Sequence, residues 1–175
     1  MSTSLVSELQ RLADALESDG AGAVEGSLPA VAEKIARELR VKADEVAILA
    51  VSHRRRHLYF LVPHVLKNVG FIPLTSNSAL AARTARDSRP EINNNFSAVR
   101  HAAVFEGVKT ATGESIQKII SAPILFEEKV VGVMQISRKG GSVVSAGPDF
   151  TPEDLGRVLA ICKPLGKLVS LMAGE

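Results

Sequence analysis

The hydrophobic positions of the chain fall into two successive periodicities. Leu5, Leu9, Leu12 and Leu16 recur at spacings of four, three and four, with Val6 and Ala13 beside them. Such a stripe predicts an amphipathic helix of about 14 residues. Ser18-Asp19-Gly20-Ala21-Gly22 ends it, since glycine suits a helix stop or a link. Ser27 then reads as an N-cap, with Pro29 in the first turn where its missing N–H costs nothing. Leu28, Val31, Ala32, Ile35, Ala36 and Leu39 continue at helical spacing as a second amphipathic helix.

From Val46 the pattern changes to short apolar runs. Val46 to Val51 and His57 to Val62 predict two strands joined by the polar Ser52 to Arg56, a connection of hairpin length. Pro63 ends the second strand because it cannot donate to a ladder. Ser76 or Ser78 caps a short helix over Ala79 to Arg86, which Pro90 stops. Glu91-Ile92 forms a short strand, followed by the turn residues Asn93-Asn94-Asn95. Ile116 to Phe126 and Lys129 to Arg138 predict a long hairpin turning at Glu127-Glu128. In its second strand Val131, Val133, Gln135 and Ser137 share one face, and Val130, Gly132, Met134 and Ile136 the other. Apolar groups on both faces predict a central strand covered on each side. Pro123 calls for a bulge or an unpaired edge in the first strand. Gly140 to Gly147 is a loop. Thr151 then caps a last helix, with Pro152 at its first position and Asp154 three residues on. Leu155, Val158, Leu159, Cys162, Leu165, Val169 and Met172 form its apolar stripe, and Pro164 predicts a kink.

Composition narrows the chemistry. The 175 residues suit one domain with an appended segment, here an N-terminal helix and linker over 1–26 ahead of a main domain over 27–175. Twenty-one basic and 19 acidic side chains leave a net charge of +2, with no polybasic tract beyond Arg54-Arg55-Arg56. Three charges at a hairpin tip keep a turn solvated, and there are no interleaved aromatics, so nucleic acid is not expected as a partner. No apolar stretch reaches the roughly 18 residues needed to span a bilayer, so no membrane partner is expected either. The N-terminus lacks the basic start and cleavage site of a signal peptide, which makes the cytoplasm the expected location. The one cysteine, Cys162, excludes an intrachain disulfide, a Cys-based zinc site and a two-thiol redox cycle.

The order of elements, and three stretches in particular, resemble the GAF domain, a ligand-sensing and dimerising module. The first runs from Phe71-Ile72-Pro73-Leu74-Thr75 through Ser76-Asn77-Ser78-Ala79-Leu80-Ala81-Ala82, with Arg89-Pro90-Glu91-Ile92-Asn93-Asn94 after it. The second joins Ser121-Ala122-Pro123-Ile124-Leu125 to Gly132-Val133-Met134-Gln135-Ile136, and the third is Asp149-Phe150-Thr151-Pro152-Glu153-Asp154-Leu155. Together the resemblance covers about residues 27–172. It implies an α+β, profilin-like fold: a central antiparallel sheet of five to six strands, with the N- and C-terminal helices on one face. The middle segment would roof a pocket on the other face.

Function does not follow from such a fold alone. The resemblance implies a sensor in signal transduction, acting as a homodimer on a downstream signalling protein, with neither ligand nor cofactor specified. A purely structural dimerisation module is the alternative, and a small-molecule enzyme on the same fold a third. Cyclic nucleotide is disfavoured, because Asn94-Asn95-Phe96 is followed by Ser97-Ala98-Val99-Arg100, without the lysine and acidic pair of that subclass. Family members that reduce free methionine sulfoxide use several cysteines, which this chain lacks. Ser76, Asn77, Ser78, Asn93 and Asn94 are the polar groups expected to reach the pocket, with Tyr59, Phe96 and Phe105 as walls. His101 is the one candidate axial ligand for haem, although a solvated loop histidine explains it better. Capping and turning the backbone is an equally good account of the serines and asparagines. Leu5, Leu9, Leu12 and Leu16 are expected to meet a second copy of the chain instead of their own core, with packing onto their own sheet as the competing reading.

Overall fold

A computed structural model of the chain describes residues 2–19, 28–62, 70–96 and 115–173. In order, the elements are α1 (Ser2–Asp19), α2 (Leu28–Leu39), a 3-10 turn (Ala43–Glu45), β1 (Val46–Ser52), β2 (His57–Val62) and β3 (Phe71–Pro73). Then follow α3 (Leu80–Asp87), β4 (Glu91–Asn93), β5 (Ser115–Phe126), β6 (Lys129–Gly140) and α4 (Pro152–Ala173). The six strands form one sheet in the order β3-β2-β1-β6-β5-β4, with every pairing antiparallel. The expected α+β fold is present, and β6 is central as its two apolar faces required.

Each face of the sheet carries its own core. On one side Val46, Ile48, Ala50, Met134 and Ile136 pack beneath α2 and α4. On the other, Ala47, Leu49, Val51, Leu58, Phe60 and Val133 pack beneath α3. The terminal helices therefore share one face, and part of the middle segment covers the opposite one, as the resemblance implied.

Three irregularities correct the simple alternation of side chains. Between Ile124 and Leu125 the partner in β6 jumps from Gly132 to Val130, so Val131 is the extra residue of a bulge. A bulge inverts facing, and Val131 joins the helix-side core while Val130 packs on the α3 side. Similar jumps make Gln117 the extra residue of β5 and Leu61 that of β2. Pro123 itself stays in register opposite Val133, so of the two alternatives expected there the unpaired edge is the one present. Its lack of an N–H is tolerated because β4 pairs with β5 only as far as Ser121.

The helix ends follow the sequence closely where they are described. Thr151 N–H donates to the Asp154 carboxylate at 2.9 Å and Asp154 N–H to the Thr151 hydroxyl at 3.2 Å, a reciprocal capping box at the start of α4. The helix then runs on through Pro164 to Ala173. Proline there leaves the Ala160 carbonyl without its helical donor, and Ala160 is exposed, so water can replace it. The expected cap Ser27 and the strand-ending Pro63 lie outside the described residues. The β5–β6 hairpin turns on Glu127 and Glu128, both at positive φ (53° and 65°), a conformation that usually selects Asn or Gly.

The stripe of α1 corrects a functional expectation. Leu5, Leu9, Ala13 and Leu16 are buried within the single chain, against α4 and α2, with Leu12 partly buried beside them. Lys167 of α4 reinforces the contact through Glu17 at 2.7 Å, and Lys34 of α2 pairs with Glu8. The stripe is thus not free to receive a second copy.

Candidate functional site

The α3 side of the sheet is mostly apolar among the described residues, and a buried chain of polar groups crosses it. Alternation places Gln135 of β6 and Ser121 of β5 on this face, and Thr84 descends onto them from α3. All three residues are at most 2% exposed. Gln135 Nε2 donates to Ser121 Oγ at 3.2 Å, and Ser121 and Thr84 share a hydrogen bond of 2.7 Å. The Thr84 hydroxyl donates to the Leu80 carbonyl at 3.0 Å. Since each hydroxyl has one proton, the donors run from sheet to helix, with Ser121 donating to Thr84. Burying this chain costs more than burying apolar side chains of equal size unless every member is satisfied.

Thr84 also lines a polar cleft of about 350 Å³ between α3 and β4, with Arg83, Asp87, Arg89, Pro90 and Glu91. Arg83 Nη2 bonds both Glu91 carboxylate oxygens, at 3.2 and 3.0 Å, joining α3 to the edge strand. Both side chains remain partly exposed, at 44% and 40%, so the pair is accessible to a solute. Ser88 ends α3 in the left-handed region, φ 53°, with its N–H on the Thr84 carbonyl, and so turns the chain towards Pro90 and β4.

The sequence-predicted residues do not all meet here. Phe96 is buried in the α3-side core, whereas Tyr59 packs against the helix-side core, on the other face of the sheet. Tyr59 instead meets His57 edge-on, and His57 stacks on the exposed ring of Phe71 with centroids 4.4 Å apart. Ser76 accepts from Ala79 N–H at 3.2 Å and lies 3.4 Å from Ser78, so it organises the approach to α3 from three residues before Ala79, which stands at the cap in place of the expected serine. Asn77 and Ser78 are exposed in the same turn. Asn93 accepts from Asn95 N–H at 2.8 Å, an Asx turn. Ser76, Asn77 and Ser78 follow β3, whereas Asn93 ends β4 and Asn94 follows it, and these strands are the two opposite edges of the sheet. His101 and Phe105 lie outside the described residues.

Asn94 has a structural task of its own. Its Nδ2 donates to the Phe150 carbonyl at 3.1 Å and its Oδ1 accepts from Phe150 N–H at 2.8 Å, tying the β4 turn to the segment before α4. Asn94→Ala removes both bonds and strands two backbone groups, so it should cost about 1–3 kcal/mol. Urea denaturation checks this, and an unchanged midpoint would show that the clamp adds nothing.

Cys162 sits in the helix-side core, and burial pushes its thiol up to about 12. Among the described residues no group of three or more His, Cys, Asp or Glu is placed to hold a metal ion, and no helix is long and apolar enough to cross a membrane. The residues that sequence reasoning missed are Arg83, Thr84, Arg89, Glu91, Ser121 and Gln135. Only Arg83 and Glu91 left a sequence signal, an arginine and a glutamate eight positions apart on either side of a helix stop.

Neither a protein-family model nor a curated protein sequence matches the chain. Solved structures do. The GAF domain of an Acinetobacter phosphoenolpyruvate-protein phosphotransferase superposes with a TM-score of 0.67 at 16% identity, covering 97% of this chain and 95% of that one. The fold is that of a GAF domain. A methyl-accepting chemotaxis protein fragment shares it at a TM-score of 0.67 and 15% identity, over 95% of this chain and 96% of that one. The type II free methionine-R-sulfoxide reductase of Thermoplasma acidophilum shares it more loosely, at 0.50 and 16% identity, over 71% and 77%. The fold thus occurs in a phosphotransferase, a chemotaxis protein and a reductase alike. At these identities the likeness is one of fold, and the chemistry has to come from this chain's own residues.

Proposed function

We propose that the chain is a regulatory GAF domain of the cytoplasm that senses a small molecule on the α3 side of its sheet. The observation that carries this reading is the buried Thr84–Ser121–Gln135 chain beside the Arg83–Glu91 cleft. A face built only for stability gains by replacing such a chain with apolar side chains, whereas convergent polar groups in an apolar wall suit recognition. The occurrence of this fold in a chemotaxis protein and a phosphotransferase supports a signalling context with a downstream protein partner.

A second observation supports action as a homodimer. Behind α1 and α4, a groove of about 750 Å³ is lined by Val6, Gln10, Gly156, Leu159, Ala160, Lys163 and Pro164. Leu159 is 39% exposed there, so Leu159→Glu should leave the fold intact while dissociating a dimer, read by light scattering. A wild-type monomer ends the homodimer reading, and a variant that stays dimeric moves the interface away from this groove.

Sensing is tested by a thermal-shift screen of nucleotides, amino acids and haem. A ligand at 100 times its dissociation constant adds about 2.7 kcal/mol. The shift should shrink in Arg83→Ala, and a screen with no shift would remove the sensing role. Thiol catalysis makes the opposite demand on Cys162. A thiol held near 12 stays protonated at neutral pH, so iodoacetamide should leave the native protein unlabelled and label it on unfolding. Rapid native labelling would return the enzyme reading to favour.

A further inference from the structure

The helix side of the sheet buries two cations next to each other. Lys118 of β5 and Arg138 of β6 are cross-strand partners, 3% and 8% exposed. Lys118 is satisfied: its Nζ donates to the Gly147 carbonyl at 2.6 Å and pairs with Asp149 at 2.7 Å. Arg138 is not. Its guanidinium lies 4.7 Å over the Phe150 ring, and Nη1 donates to the Arg40 carbonyl at 3.0 Å. The buried Nε–H has no acceptor among the described residues.

Arg138 lines a cleft of about 630 Å³ between the end of α2 and the loop after β6. Arg40, Lys42 and Lys139 line it as well, with Gly140, Gly141 and Ser145. Glu45 is the one carboxylate in the lining, and its two oxygens accept from the backbone N–H groups of Lys42 and Lys139. Four cationic residues thus line the cleft with one carboxylate that already takes two N–H groups, and Lys139 Nζ donates to the Asp44 carbonyl at 3.0 Å on its rim. The carbonyl of Arg40, just past the end of α2, takes Nη1, leaving the other edge of the guanidinium, Nε with Nη2, which is the edge that grips two oxygens of an oxyanion.

We propose that this cleft binds a phosphate group through the Nε/Nη2 edge of Arg138, with Lys42 and Lys139 at its rim. A dianion suits the net positive lining better than a single carboxylate, and a tetrahedral group offers further oxygens to the rim lysines. Gly140 and Gly141 keep the loop side open: a methyl on Gly141 would meet nothing, and one on Gly140 would strike Ala146. The site lies on the opposite face of the sheet from the Thr84 cleft, so it is independent of the sensing role proposed above.

Inorganic phosphate and glycerol 1-phosphate are the probes, titrated into the ¹⁵N-labelled chain at constant ionic strength. The Arg138 Nε–H resonance should move downfield in a saturable manner together with the amides of Gly140 and Gly141. Arg138→Lys keeps the charge and removes the fork, so affinity should fall by about tenfold or more. Lys42 is exposed, and Lys42→Ala should fold normally and bind about threefold more weakly. Equal affinity for both probes assigns the free ion, and tighter binding of the ester assigns a phosphorylated small molecule. The proposal fails if the Arg138 Nε–H resonance stays fixed, if Lys42→Ala binds like the wild type, or if Arg54 to Arg56 respond as strongly as the cleft.

Discussion

Gly166→Ala should lower the unfolding free energy by about 3 kcal/mol, although it places a better helix former in the middle of α4. A Cβ at Gly166 would fall on the Leu125 carbonyl oxygen, well inside contact distance, with Phe126 Cβ 3.4 Å away. The obstacle is backbone, held in the β5–β6 hairpin, so it cannot yield by changing rotamer. The helix would have to lift, loosening Leu165, Leu168 and Val169, all of them in the helix-side core. Gly156 in the same helix is the control, measured in the Leu159→Glu background because it lines the groove proposed to pair two copies, and a methyl there meets nothing within the chain. Gly156→Ala should raise stability by about 0.5–1 kcal/mol, the ordinary propensity gain. For a chain of this size the loss at Gly166 corresponds to roughly 6–12 °C in Tm. If the two substitutions act alike, α4 does not rest on the Leu125 carbonyl.

That contrast shows what the sequence could and could not reveal. Both glycines sit in one helical pattern and look alike locally; only the tertiary approach of β5 separates them. The same holds for Val131. Alternation assigned it to the face of Val133, and the bulge that moves it to the other core depends on register with β5, which no local pattern encodes. Legible features were those fixed within a few residues: the capping box at Thr151, the amphipathic stripes and the hairpin connections. The candidate site was mostly illegible for the same reason. Thr84 and Ser121 are 37 positions apart, and Arg40 and Arg138 98 apart, so their meetings are products of topology. Asn94 was legible as a polar turn residue, yet its partner is the backbone of Phe150, 56 positions on.

Leu9→Ala should cost about 3 kcal/mol, and its cost should not depend on protein concentration. Leu9 is fully buried between α1 and its neighbours in the same chain, so truncation leaves a cavity that rigid helices only partly close. Leu12 is partly buried, and Leu12→Ala should cost less than half as much. The concentration arm separates the observed packing from the arrangement expected of an amphipathic N-terminal helix. Were the stripe seated on a second copy, dilution would lower the wild-type midpoint and leave that of Leu9→Ala nearly fixed, because mass action couples an interface to concentration. The outer groove is itself proposed to pair two copies, so both measurements belong in the Leu159→Glu background, where that contact is removed. There the drop caused by Leu9→Ala should be the same at high and low concentration. A drop that vanishes on dilution would return the stripe to an intermolecular role and leave α1 without the intrachain anchor that α4 now provides.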